Sequence, residues 1–99
     1  MRRGTTPTHT FKTDMDLTTA EVLFITYKQG KKVVLEKTID DVTITAEEIT
    51  TDLSQQDTLA MSSIGTVSIQ IRAKFPDGTA VASNVMERPA KEILKNGVI

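Results

Sequence analysis

A chain of 99 residues and 10.9 kDa holds one domain and one hydrophobic core. Twelve basic against thirteen acidic side chains leave a net charge of -1, which gives no global field to gather nucleic acid or an anionic membrane. With no cysteine and a single histidine, disulfides, thiolate nucleophiles, cysteine-ligated zinc and a two-histidine metal site within the chain are all excluded. No stretch approaches the roughly 18 apolar residues of a membrane-spanning helix.

Residues 1–10 read as an extended amino-terminal arm, with two arginines, a glycine, a proline and four threonines. This stretch lacks the apolar centre of a secretory signal, so export by that route is not expected. The remaining residues, 11–99, are expected to form a single β-sandwich domain with a short carboxy-terminal tail. About a third of the chain is Thr, Val or Ile, the stiff β-branched residues that favour a pleated surface. Thr8-His9-Thr10-Phe11 alternates as a first strand would, with His9 and Phe11 on one face. Residues 20–28 (AEVLFITYK) are apolar on both faces, the mark of a strand that is central or covered twice. Gln29-Gly30-Lys31 turns the chain, and residues 32–39 run back as the second arm of a hairpin.

Asp40-Asp41 punctuates, and residues 42–46 alternate again. Residues 47–53 suit either a helical turn, from Ile49 and Leu53, or a strand, from Thr50-Thr51; the balance favours a strand. Ser54-Gln55-Gln56-Asp57 has capping-box spacing and predicts a short helical turn over 54–59. The clearest strand runs from Val67 to Phe75: Val67, Ile69, Ile71, Ala73 and Phe75 face one way, and Ser68, Gln70, Arg72 and Lys74 the other. Pro76-Asp77-Gly78 supplies a turn, and residues 79–85 return as the partner strand. Pro89 is expected to interrupt pairing, and residues 91–95 to form one more helical turn, stopped by Asn96-Gly97. Strands spaced about every 8–12 residues predict an all-β chain, a small antiparallel immunoglobulin-like sandwich of about 6–8 strands.

Chemistry-bearing residues are sparse. His9 has Asp14 as its nearest acidic neighbour in sequence and no nucleophile in any recognised motif, so it reads as structural or surface-bound. The carboxylates of Asp14, Asp16, Asp40, Asp41, Glu47 and Glu48 read as solvated loop charges; calcium binding through the Asp14/Asp16 and Asp40/Asp41 loops is the sharper alternative. A glycosidase-type carboxylate pair would be assembled in space rather than by spacing, but the few aromatics argue against a sugar platform. Phe24 and Phe75 look like core. Lys31-Lys32 reads as a solvated hairpin tip, and Met61 and Met86 as gap-filling or surface residues. No catalytic residue, cofactor or metal site is expected, nor a nucleic-acid or membrane partner.

Several blocks together resemble a family of small proteins encoded in the structural-gene regions of bacterial prophages. They are GTTPTHTF (4–11), EVLFITYKQGKKVVLEK (21–37), LSQQDTL (53–59), IQIRAKFPDGTAVASNV (69–85) and ILKNGVI (93–99). More loosely, Leu17-Thr18-Thr19-Ala20 through Ile25, and Ile69-Gln70-Ile71 through Asp77-Gly78 and Ser83, are similar to the amino-terminal β-sandwich domain of phage baseplate upper proteins. The resemblance implies a virion-associated structural or adaptor role in a tail or baseplate. It implies partners that are the chain itself, as a homo-oligomer, or other tail proteins, and a location in the virion, or in host cytoplasm during assembly. No fibre-attachment domain follows the sandwich, which favours an adaptor over direct host recognition. Expected partner contacts are Arg2, Arg3, Thr5, Thr6 and Pro7 in the arm and Val98 and Ile99 in the tail. On this reading, removal of residues 1–7 leaves folding intact and weakens assembly. The alternative is a small sandwich module that binds a peptide or calcium.

Overall fold

The computed structural model describes residues 1–63 and 65–99. Its strands are β1 (Thr8–Lys12), β2 (Val22–Gln29), β3 (Lys32–Thr38), β4 (Val42–Ile44), β5 (Glu48–Asp52), β6 (Thr66–Lys74), β7 (Ala80–Ala82) and β8 (Met86–Pro89). A 3-10 turn spans Ile39–Asp41, and one short helix, α1, spans Gln55–Leu59. The strands form two antiparallel sheets, β1-β5-β4 and β3-β2-β6-β7, with β8 also on β6. This is a small β-sandwich. That order puts β1 and β4 at the edges of one sheet and β3 and β7–β8 at the edges of the other.

The core forms where the period-two patterns of the two central strands meet. Leu23, Ile25 and Tyr27 of β2 lie opposite Ala73, Ile71 and Ile69 of β6, and all six are buried. Ile49, Thr51 and Leu53 bring the other sheet onto them, with Val67 and Met61 completing the cluster. β2 is central, as its sequence suggests, but it is covered on one face only. Phe24, expected in the core, lies on the outer face at 38% exposure beside Arg72. The apolar residues at even positions of β2 sit on a solvated surface, and the inward odd positions alone carry the packing.

The helix at 55–59 follows from its cap. Ser54 Oγ accepts from the Asp57 N–H at 3.0 Å, and Asp57 Oδ2 accepts from the Ser54 N–H at 2.9 Å. Asp57 also takes the Lys37 ammonium at 2.9 Å, tying β3 to α1. Burial pushes the Asp57 carboxyl up, but the Ser54 and Lys37 hydrogen bonds outweigh it and hold the group below its usual range. Thr38 and Asp41 repeat the capping box at the 3-10 turn. Residues 48–52 are a strand, in line with Thr50-Thr51.

Three sequence expectations fail at the carboxy-terminal end. The return strand stops at Ala82; Asn84 and Val85 then bulge opposite Gln70, and β8 resumes the pairing on β6. Ser83 makes the bulge tolerable, since its Oγ accepts from the Ile71 N–H at 3.0 Å and its own N–H donates to the Ile71 carbonyl at 2.8 Å. Pro89 does not end the pairing. Its carbonyl and the Lys91 N–H both turn toward Met1, so its nitrogen lies away from β6, where no ladder bond is lost. The helical turn expected over 91–95 is absent. Lys91 is held extended by main-chain bonds to Met1 and Arg3, and Leu94 is fully exposed, leaving no apolar face to stabilise one short turn.

Ile25→Ala is expected to cost about 2–5 kcal/mol through the cavity it leaves. Ser83→Ala should cost about 1–3 kcal/mol by stranding the Ile71 N–H. Urea unfolding followed by the fluorescence of Tyr27, the chain's single tyrosine with no tryptophan present, measures both.

Candidate functional site

A two-sheet sandwich has four sheet edges, and three of them here carry features that discourage further pairing. β3 bulges at Val34, which has no partner between Leu35 and Val33 in the register, and begins at Lys32. β4 is three residues long. β7–β8 is bulged, carries Pro89, and at its far end is covered by the amino-terminal residues through a parallel bridge between Arg2 and Lys91.

The fourth edge, β1, is open. The Leu53 N–H donates to the Pro7 carbonyl and the Thr13 N–H to the Glu47 carbonyl, both at 2.9 Å. Odd-numbered residues from 7 to 13 therefore turn their main-chain groups to β5, and Thr8, Thr10 and Lys12 turn theirs outward. Among the described residues those outward groups have no main-chain partner.

Between the β1 edge and the β7–β8 edge runs a groove with two cavities of about 400 and 330 Å³, which share Phe11, Lys12 and Met86. Ile71, Ala73 and Val81 line the floor of the larger one, and Ile69 that of the smaller. The floor of the groove is thus formed by core side chains, Ile69, Ile71 and Ala73, that are themselves nearly buried. Thr13 Oγ1, buried at the wider end, has no hydrogen-bond partner among the described residues. Lys12 and Arg88 border the narrower end, with no ion pair among the described residues.

His9 holds β1 to the opposite sheet. Its Nδ1 lies 2.8 Å from the Tyr27 hydroxyl, its ring stacks on Tyr27 at 5.8 Å between centroids, and Phe11 meets it edge-on at 6.1 Å. Burial, then the charge of Asp57, pushes the Tyr27 phenol well above its usual value, so it stays protonated and donates to Nδ1. Burial, then the Met1 ammonium and Arg88, lowers the His9 pKa. The imidazole is thereby favoured neutral, in a structural role.

The expected contact residues divide into two groups. Arg3 is engaged within the domain: Nε donates to the Met61 carbonyl at 2.6 Å and Nη2 to that of Leu59 at 3.1 Å. Arg2 donates to the Glu92 carbonyl, and Thr5 offers its carbonyl to the buried Thr58 hydroxyl at 2.9 Å. Pro7 is half-buried beside Leu53, and Thr6 is exposed. Residues 1–7 are therefore bound along the domain rather than standing off it. Gly4, at φ 73°, fits closely there; a Cβ would come within 2.7 Å of Ile93 Cδ1. In the tail, Val98 and Ile99 are 58% and 89% exposed, with Ile99 held through its main chain by the Gln55 amide.

The acidic loops are occupied by their own turns. Asp16 accepts from the Thr18 hydroxyl and then its backbone N–H, and Asp41 and Asp77 accept from the backbone N–H and then the hydroxyl of Thr38 and Thr79; these bonds lower each carboxyl pKa. Among the described residues no three His, Cys, Asp or Glu side chains gather as a metal site. Lys31 and Lys32 are exposed at the hairpin tip, Met61 is core, and Met86 lies in the groove. Nothing local in Thr8 to Lys12 marks this edge as unpaired; it shows only once the sheets are assembled.

No family model, curated protein or solved structure matches this chain.

Because the folded His9 has the lower pKa, the unfolded chain binds the extra proton first as pH falls. Its contribution is fully present above about 6.5 and is lost as the pH drops through that value toward the depressed folded pKa. Melting temperatures at pH 7.5 and 5.5 should therefore differ, and the difference should shrink in His9→Gln. Removal of residues 1–7 should destabilise the fold by on the order of 2–4 kcal/mol through the lost Arg3 and Thr58 bonds. Urea denaturation checks it, and a deletion as stable as the full chain would return the arm to a purely external role.

Proposed function

We propose that this protein is a virion-associated structural or adaptor protein of a phage or prophage tail or baseplate, acting by protein–protein assembly. The observation that carries the assembly part is the unpaired β1 edge beside an apolar groove. Main-chain donors and acceptors there would satisfy those of an added strand, and side chains of that strand would fill the groove. The tail or baseplate setting is supported by the five sequence blocks that resemble prophage structural-region proteins. Its partners on this reading are further copies of the chain, tail proteins, or both, in the virion and, during assembly, in host cytoplasm.

The binding-module alternative divides. Peptide capture draws on the same groove and would be its isolated form. Calcium capture is less well supported, because the Asp16 and Asp41 carboxylates already accept hydrogen bonds from their own turns.

Density-banded particles from an induced culture of the encoding strain, analysed by quantitative mass spectrometry and by antibody-gold labelling, test the proposal. The protein is expected at fixed stoichiometry with tail proteins and labelled at one position on the tail. Particles that lack it, with tails unaltered when the gene is deleted, would overturn the virion role.

A further inference from the structure

We infer that the β1 edge binds the β1 edge of a second copy of this chain, antiparallel about a two-fold axis through Thr10, so that two three-stranded sheets become one continuous sheet. This rests on the assembly reading above and names its first partner.

The register is set by hydrogen-bond phase. Only Thr8, Thr10 and Lys12 offer outward main-chain groups, so a symmetric pairing must set even residues against even residues. Centring on Thr10 does so: Thr10 faces Thr10 of the second copy, and Thr8 faces its Lys12. Every outward N–H on the strand then meets a carbonyl. Centring on His9 or Phe11 would also set even residues against even, but it would leave Lys12 facing Thr6, or Thr8 facing Asp14, beyond the ends of β1; only the Thr10 centre pairs all three outward residues within the strand.

Charge supports the same register. On the outer face Thr8 lies directly opposite Asp52, its hydroxyl on Asp52 Oδ1 at 2.6 Å, and Lys12 lies opposite Glu48. The pairing therefore lines up Asp52, Thr8, the second copy's Lys12 and the second copy's Glu48 across the joined sheet. The only cation on each β1 thus sits between two carboxylates, one from each copy, and the two Lys12 ammoniums stand at opposite ends of the ladder. The central row runs Thr43, Thr50, Thr10 and onward through the same residues of the second copy, β-branched throughout.

The inner face agrees as well. There His9 of each copy faces Phe11 of the other, extending the edge-on contact these two rings already make within one chain. Both rings enter the mouth of the groove, over Ile69 and Met86. An isologous contact of this kind closes on itself and leaves neither β1 edge open.

Light scattering behind a sizing column, with the full chain up to about 1 mM, reads the association, and amide exchange locates it. A dimer is expected within that range, the weak end of specific binding. Protection of the Thr8, Thr10 and Lys12 amides should rise with concentration, while that of Ala82, on the opposite edge, does not. Thr10→Pro deletes the central donor without touching the ladder to β5 and should weaken dimerisation at least about tenfold. Should that variant fail to fold, Thr10→Lys, on an exposed position, sets two like charges face to face across the axis and should give a folded monomer. A strict monomer at 1 mM overturns the pairing while leaving the virion role to its own test. A dimer unmoved by the variant that folds overturns it too.

Discussion

A phenol hydroxyl at the centre of a small sandwich must find an acceptor, and much else here follows from the one that Tyr27 finds. Its ring is fully buried between the sheets, and its hydroxyl reaches across to His9 Nδ1. An unpaired buried hydroxyl costs about 1–3 kcal/mol, so the bond fixes which face of β1 turns inward. Once His9 and Phe11 are inward, the antiparallel register with β5 decides that Thr8, Thr10 and Lys12 hold the outward main-chain groups. The chemistry of the open edge is thus set by a contact in the core. The same contact occupies Nδ1 and one ring face of His9.

The amino-terminal residues complete the fold from the other side. Arg3 ends in carbonyls of α1 and of the segment after it, which are orphan acceptors at a helix terminus. A guanidinium suits that place, since it offers several donors from one planar group and stays charged. Met1 to Arg3 then run parallel to Lys91 and cover the far end of the groove. The coverage stops there, and the groove beside Thr8 to Lys12 stays open.

What could be read from the chain alone was whatever rested on local periodicity and local capping. Strict alternation over 67–75 and the Ser54-to-Asp57 spacing each depend on residues within one turn or one strand, and each reappears in the fold. The failures depend on distant partners. Phe24 has core chemistry but the wrong parity once Leu23, Ile25 and Tyr27 are chosen, and that choice is made by β6 and β5 rather than by β2. Pro89 looks like a break until the direction of its nitrogen is known, which Met1 reveals from the other end of the chain. Residues 91–95 have helix-forming side chains, but Lys91 is taken by a parallel bridge some ninety positions away in sequence. The open edge is a property of what is missing beside β1, which no window of sequence contains.

The size of that edge constrains how it can work. Three outward residues on each side supply few main-chain bonds, each worth about 0.5–1.5 kcal/mol net. Filling cavities of about 400 and 330 Å³ adds apolar burial. Against this stands an association cost of about 4–15 kcal/mol, so one such contact between free molecules in dilute solution is weak. Weakness is compatible with a structural role. A subunit already held near its neighbours by a larger scaffold meets them at an effective concentration that can reach the millimolar range, and the same contact then forms readily. A low intrinsic affinity would also keep free chains from joining edges indiscriminately. The bulge in β3, the shortness of β4 and Pro89 in β8 serve that end as well, by leaving one edge where a strand can add and discouraging the others.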